Sequence, residues 1–271
     1  MLFLSNQIYR HQMPTRLKLI KTAISAALDA GKAIMGIYQS GNFGKEIKSD
    51  NSPITAADMQ SQTIITLRLA ATGLPVLSEE GSKKSWTERK DWKEFWMVDP
   101  LDGTKEFINK NGDFTVNIAL IECGKPVAGV IYVPCLDVLY FGSKETGVFK
   151  IEDGKRTKIK PLAVRNKFDN LLQRRQVTIV ASRSHLSDET KIFIQRFKNA
   201  KLELRGSSLK FMLLAERQAD LYPRFAPTME WDTAAAHAIL NAANMGIYQT
   251  DLKTELNYNK AHLVNPFFVA F

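Results

Sequence analysis

The apolar run Trp96-Met97-Val98 breaks into Asp99-Pro100-Leu101-Asp102-Gly103-Thr104-Lys105-Glu106-Phe107, two carboxylates set around a proline and stopped by a glycine. No other stretch constrains the fold as much, because a buried strand has to end here with its charged groups gathered. Pro100 fixes φ between Asp99 and Asp102, so the turn aims both carboxylates and the Leu101 carbonyl toward one point. Converging hard oxygens suit Mg²⁺, an ion that prefers octahedral oxygen donors and handles phosphate. An ordinary acidic turn is the other reading of this spacing taken alone.

Two further segments repeat the arrangement. Val76-Leu77-Ser78-Glu79-Glu80-Gly81 is a short apolar segment ending in carboxylates, and Glu230-Trp231-Asp232-Thr233 opens an alanine-rich, helix-like run. Asp232 reads most simply as an N-cap. The same position also lets a carboxylate face a cleft at a helix start, where anionic phosphate is favoured.

With 271 residues and 45% hydrophobic content, the chain can bury a large core in one domain or two closely joined lobes. Two cysteines make no disulfide framework and no metal spacing, so Cys123 and Cys135 are expected to be ordinary buried thiols in a reducing, cytoplasmic compartment. No stretch approaches a membrane span, and residues 1–6 turn polar too soon for a signal peptide. Apolar periodicity begins at Leu17, which suggests that residues 1–15 form an extension and that Met13 is the initiator. The 37 basic and 28 acidic residues give a net charge of +9, but the positive charge is dispersed and accompanies no nucleic-acid motif. Nucleic acid is therefore not the expected partner; a small polyanion is, with peripheral attachment to an anionic membrane face left open.

The pattern along the chain is α/β. Helices are expected over 16–38 and 55–72, then strands at 76–77, 95–98, 115–122, 127–133 and 138–142 with hairpin turns at 123–125 and 135–137. From about 161, strands (177–181, 201–204, 221–225) alternate with helices (187–198, 208–216, 233–243). This divides the chain into a lobe over 16–160 with the acidic motifs and a second over 161–271. In the second lobe, His185 reads as a loop-rim contact to phosphate or base, or as a plain loop residue. Ser207 reads as a helix cap, or with Lys210 as a ligand contact; His237 reads as packed or exposed rather than catalytic, and Trp231 as a packing residue.

Glu-Glu at 79–80, Asp-Pro-Leu-Asp-Gly-Thr at 99–104 and Trp-Asp at 231–232 occur in the order that marks the inositol monophosphatase superfamily of Mg²⁺-dependent, lithium-sensitive phosphatases, and from about Leu17 onward the chain resembles it. Lys48-Ser49-Asp50-Asn51-Ser52-Pro53-Ile54-Thr55, Gly206-Ser207-Ser208-Leu209-Lys210-Phe211 and Leu221-Tyr222-Pro223-Arg224-Phe225 resemble its 3'(2'),5'-bisphosphate nucleotidase (CysQ-like) branch. The resemblance implies a layered αβαβα sandwich of the inositol monophosphatase and fructose-1,6-bisphosphatase type, with the metal site between the lobes. It implies Mg²⁺ held by Glu79, Asp99, the Leu101 carbonyl, Asp102 and Asp232, with Asp99 bridging two ions. Asp50 and Thr104 match the pair that activates water, and Asp50, five residues before Thr55, follows the nucleotidase spacing rather than that of the inositol phosphatases. Gly103, Thr104, His185, Ser207, Lys210, Arg224 and Asp232 match the substrate contacts. The implied reaction removes the 3'-phosphate of adenosine 3',5'-bisphosphate, with the sulfated analogue as a second substrate, in support of sulfate assimilation. An inositol or fructose-bisphosphate phosphatase is the enzyme alternative, and a phosphate-ligand sensor the non-enzyme one.

Overall fold

A computed structural model describes residues 2–48, 53–182 and 187–271. The chain begins with α1 (Leu2–Ser40), β1 (Glu46–Ile47), β2 (Pro53–Ile54), α2 (Ala56–Ala70), β3 (Val76–Ser78), α3 (Trp86–Arg89), β4 (Glu94–Asp102) and α4 (Thr104–Ile108). Strands β5 (Thr115–Glu122), β6 (Lys125–Val133), β7 (Val138–Ser143), β8 (Gly147–Glu152) and β9 (Lys155–Ile159) follow. The rest comprises α5 (Phe168–Leu172), β10 (Val177–Ser182), α6 (Asp188–Ile194), β11 (Ala200–Arg205), α7 (Leu209–Ala215), β12 (Tyr222–Arg224), α8 (Glu230–Ala242), β13 (Ile247–Gln249) and β14 (Phe268–Ala270).

A seven-stranded sheet runs in the order β3-β4-β5-β6-β7-β8-β9, with β3 parallel to β4 and every other pair antiparallel. Its central strands are apolar on both faces because both are covered. Trp96, Val98, Val116, Ile118, Leu120 and Val130 point into one core with Ile20, Ala27 and Ile34 of α1 and Ile65 of α2. The alternate residues Phe95, Met97, Ala119, Ile121 and Ile131 point the other way, onto Ala235, Ala236 and Ile239 of α8 and Met212 of α7. Gly129 permits that second contact: a Cβ there would lie 2.1 Å from the Ala235 carbonyl oxygen. Beyond α7 and α8 lies a second sheet, where β10 pairs in parallel with β11, β14 lies between β12 and β13, and an Ile179↔Leu221 bridge joins the two parts. Its far face packs Val177, Ile179, Val269 and Phe271 against Phe168 of α5 and Phe193 of α6. The layers are therefore α, β, α, β, α, as the resemblance implied.

Several expectations change. Helical backbone starts at Leu2 rather than near residue 16, since backbone hydrogen bonding extends a helix whether or not the sequence carries an apolar stripe. β8 and β9 were not expected: β9 is basic and largely exposed, and β8 is mostly half-buried, with only Val148-Phe149 as an apolar run. Helix α8, which follows residue 161 in the chain, lies across β4, β5, β6 and β7, so the two halves share one core. Cys123 is exposed and Cys135 half-buried, against the expectation of buried thiols. Cys123 and Gly124 form a tight hairpin tip with φ of 49° and 74°, which carries the thiol away from the sheet. Among the described residues, no helix is long and apolar enough to cross a membrane.

Candidate active site

Parallel pairing of β3 with β4 sets Ser78 against Val98, so the next residues of each strand, Glu79 and Asp99, emerge side by side. The Glu79 amide continues the ladder by donating to the Val98 carbonyl at 3.2 Å. Beyond Asp99 the register slips: Asp99 faces Asn117 and Asp102 faces Thr115, so three steps along β4 match two along β5. This bulge contains Pro100, whose carbonyl accepts from Ser61 Oγ of α2 at 2.7 Å, and Asp99 Oδ1 accepts the Leu101 amide at 3.1 Å. Gly103 then turns the chain into α4 at φ 97°, where a Cβ would meet the Asp113 carbonyl at 3.1 Å.

Asp232 enters from the opposite side. Helix α8 begins at Glu230, three residues before the expected start, so Asp232 is its third residue rather than its N-cap. Its Oδ2 accepts the Met229 amide at 2.8 Å. One oxygen from each of Glu79, Asp99 and Asp232 lies within 4.8 Å of the others. Asp99 is buried, and burial, with Glu79, Asp102 and Asp232 adding repulsion, raises its carboxyl well above the ordinary range. Burial likewise raises Asp232, helped by Asp102 and Glu79. Lys48, a residue the sequence reading cited only as part of a motif, pairs with Glu79 at 2.9 Å and also with Glu80. Among the described residues, the Glu79, Asp99 and Asp232 group consists of carboxylates alone, and Leu101 lines the same cleft; such oxygen donors fit a hard divalent cation.

Asp102 is not in that tightest group. Its Oδ2 accepts from Ser207 Oγ at 2.6 Å, Ser208 Oγ at 3.2 Å and Asn117 Nδ2 at 3.3 Å. Thr104 opens α4, and its hydroxyl donates to Asp58 Oδ1 at 3.0 Å. Asp58 Oδ2 accepts the Thr55 amide at 2.7 Å and the Thr55 hydroxyl at 2.5 Å. Burial of Asp58 raises its carboxyl, with these hydrogen bonds opposing. Asp58 was missed in the sequence, where Thr-x-x-Asp at 55–58 signals only a capping box before a helix. Asp50, expected beside Thr104, and His185 both lie outside the described residues.

The ten remaining candidate residues, Glu79, Asp99, Leu101, Asp102, Gly103, Thr104, Ser207, Lys210, Arg224 and Asp232, all line one cleft of about 310 Å³. Lys210 is buried, donates to the Ser207 carbonyl at 2.6 Å and sits 5.4 Å from the Tyr222 ring centre. Burial lowers its ammonium to about 8, with Arg224 adding to the effect and Asp102 opposing it. Ser208, not Ser207, occupies the N-cap of α7, and it makes no cap hydrogen bond. His237, read as packed or exposed, is fully buried, 2.9 Å from the Tyr258 hydroxyl and outside the cleft lining.

Residues 16–266 match the inositol monophosphatase family. The 3'(2'),5'-bisphosphate nucleotidase CysQ of Salmonella typhimurium is 45% identical over 254 residues, covering 92% of this chain and 98% of the relative. That of Haemophilus influenzae is 35% identical, covering 93% and 91%. The crystal structure of CysQ from Bacteroides thetaiotaomicron superposes with a TM-score of 0.81 at 45% identity, covering 93% of this chain and 96% of that one. The Thermotoga maritima IMPase shares the fold, with a TM-score of 0.70 at 20% identity over 93% and 91% of the two chains.

Proposed function

The chain belongs to the inositol monophosphatase family, and from that premise we propose that it is a Mg²⁺-dependent 3'(2'),5'-bisphosphate nucleotidase that converts adenosine 3',5'-bisphosphate to AMP and phosphate. The observation that carries this reading is the single cleft in which the Glu79, Asp99 and Asp232 carboxylates converge opposite two cations, Lys210 and Arg224. The first group suits a divalent ion and the second a substrate with a phosphate to spare.

Glu79, Asp99, Asp102, Asp232 and the Leu101 carbonyl would hold Mg²⁺, which when bound supplies the charge that offsets a phosphate dianion and eases deprotonation of a water. The protein's own contribution is a proton path. Thr104 Oγ1 takes a proton from the attacking water as it passes its own to Asp58 Oδ1, leaving hydroxide to form the new P–O bond. The P–O bond to the 3'-oxygen breaks, and that oxygen takes a proton from solvent. Burial makes Asp58 a stronger base than an exposed carboxylate, and its capping contacts with Thr55 hold it in place. Arg224 can fork onto the phosphate that is not cleaved, and Lys210 neutralises charge from within the wall.

Phosphate release with Mg²⁺ tests the proposal, comparing adenosine 3',5'-bisphosphate with inositol 1-phosphate and fructose 1,6-bisphosphate, with and without lithium. Selectivity for the nucleotide is expected, and preference for a sugar phosphate would overturn the substrate. Asp58→Asn should lower kcat by about 10²–10⁴-fold, the usual worth of a general base. Asp50→Asn tested alongside identifies which carboxylate serves Thr104: a loss confined to Asp50→Asn would refute the Asp58 path.

A further inference from the structure

Thr115 and Asn117 are fully buried polar residues on the face of β5 that continues as Ala119 and Ile121 in the core under α8. Residues of this kind cost stability unless every polar atom is paired, and their partners are all at the site. Asn117 Nδ2 donates to Ser208 Oγ at 3.0 Å and to Asp102 Oδ2 at 3.3 Å, while its Oδ1 accepts from Thr115 Oγ1 at 2.9 Å. Thr115 thereby orients the amide, so that both of its N–H groups face the Ser208 and Asp102 side. Ser208 is also buried, and its hydroxyl proton is shared between Asp102 Oδ2 at 3.2 Å and the Asp232 carbonyl at 3.1 Å.

These contacts all fall on one oxygen of Asp102. With Ser207 Oγ at 2.6 Å, Oδ2 has three donors and its acceptor capacity is spent. Only Oδ1 is left to be presented to the cleft. The network also spans the molecule, since Asn117 lies on β5 while Ser208 precedes α7 and reaches the first turn of α8. It therefore couples the position of Asp102 to that of Asp232, which approaches from the other side of the cleft.

We infer that Asn117 and Ser208 are positioning residues of the metal site: they clamp Asp102 by Oδ2, so that it offers a single oxygen, and they register Asp102 against Asp232. The inference rests on the reading of the cleft as a divalent-cation site. Hydrogen-bonding partners behind metal ligands are typically worth 10–100-fold in affinity or activity.

Calorimetric Mg²⁺ titration of the full chain tests it, with Asn117→Leu and Ser208→Ala compared with wild type, alongside the Mg²⁺ dependence of phosphate release. Both variants should raise the Mg²⁺ dissociation constant about 10-fold or more. At saturating Mg²⁺, kcat should return to within a few-fold of wild type, a split that loss of core packing alone would not produce. Folded variants with an unchanged dissociation constant would refute the inference. If Asn117→Leu does not fold, Ser208→Ala decides by the same criterion. A wild-type chain that binds Mg²⁺ but spares the nucleotide would overturn the substrate reading and leave this test intact; a wild-type chain that binds no Mg²⁺ would overturn both.

Discussion

Asp99→Asn should stabilise the metal-free protein while removing its response to Mg²⁺. Asp99 is buried, and its carboxylate faces those of Glu79 and Asp232 within 4.8 Å, each such pair costing about 3.5 kcal/mol at an effective dielectric constant of ~20. Two pairs would cost about 7 kcal/mol, but a carboxyl escapes by taking up a proton. At pH 7 that escape costs roughly 4 kcal/mol for a group whose ordinary pKa is near 3.9, which caps the penalty. Asparagine has the same shape and keeps an oxygen for the Leu101 amide, so packing and the local turn survive. The expected gain in EDTA is about 2–4 kcal/mol, seen as a rise in urea midpoint and of several degrees in Tm. Mg²⁺ at a hundredfold excess over its dissociation constant should stabilise wild type by about 2.7 kcal/mol and the variant by far less. A variant no more stable than wild type in EDTA would refute the electrostatic argument; one that still gains the full Mg²⁺ increment would remove Asp99 from the site.

Lys210 titrates near 8, so its positive charge is lost as the pH rises through that value, and KM for a bisphosphate should climb between pH 7 and 9 in wild type. Lys210→Arg, with a guanidinium that stays charged, should flatten that climb, and an equal rise in both would clear Lys210 of the role. Gly129→Ala would drive a Cβ to 2.1 Å from the Ala235 carbonyl and separate α8 from the sheet; a loss of about 3 kcal/mol in urea unfolding is expected. Arg224→Ala should raise KM for bisphosphate nucleotides at least tenfold more than for monophosphates, and equal losses would show that Arg224 does not read the second phosphate.

Which groups are needed is written locally, and the sequence by itself determined them. Asp99-Pro100-Leu101-Asp102-Gly103 carries its own turn chemistry, and the both-faced apolar runs of β4, β5 and β6 mark buried strands because each residue meets a covered face. The family was legible for the same reason, since its motifs lie within short stretches of the chain. Strand β9 was not, since an edge that faces solvent needs no apolar signal, and β8 beside it offers only the short run Val148-Phe149 before its residues alternate. Tertiary structure alone decided the partnerships. Glu79 stands beside Asp99 because β3 runs parallel to β4, a choice of pairing that neither strand encodes. Asp58 looks like a capping residue until α2 packs against the end of β4 and delivers it to Thr104, 46 residues away in the chain. Asn117 looks like a flaw in a core strand until a bulge of one residue brings Asp102 over it and α7 brings Ser208. Hydrogen bonds are satisfied within about 3 Å in space at any separation in sequence, so the side chain that completes a site is known only once the layers are stacked.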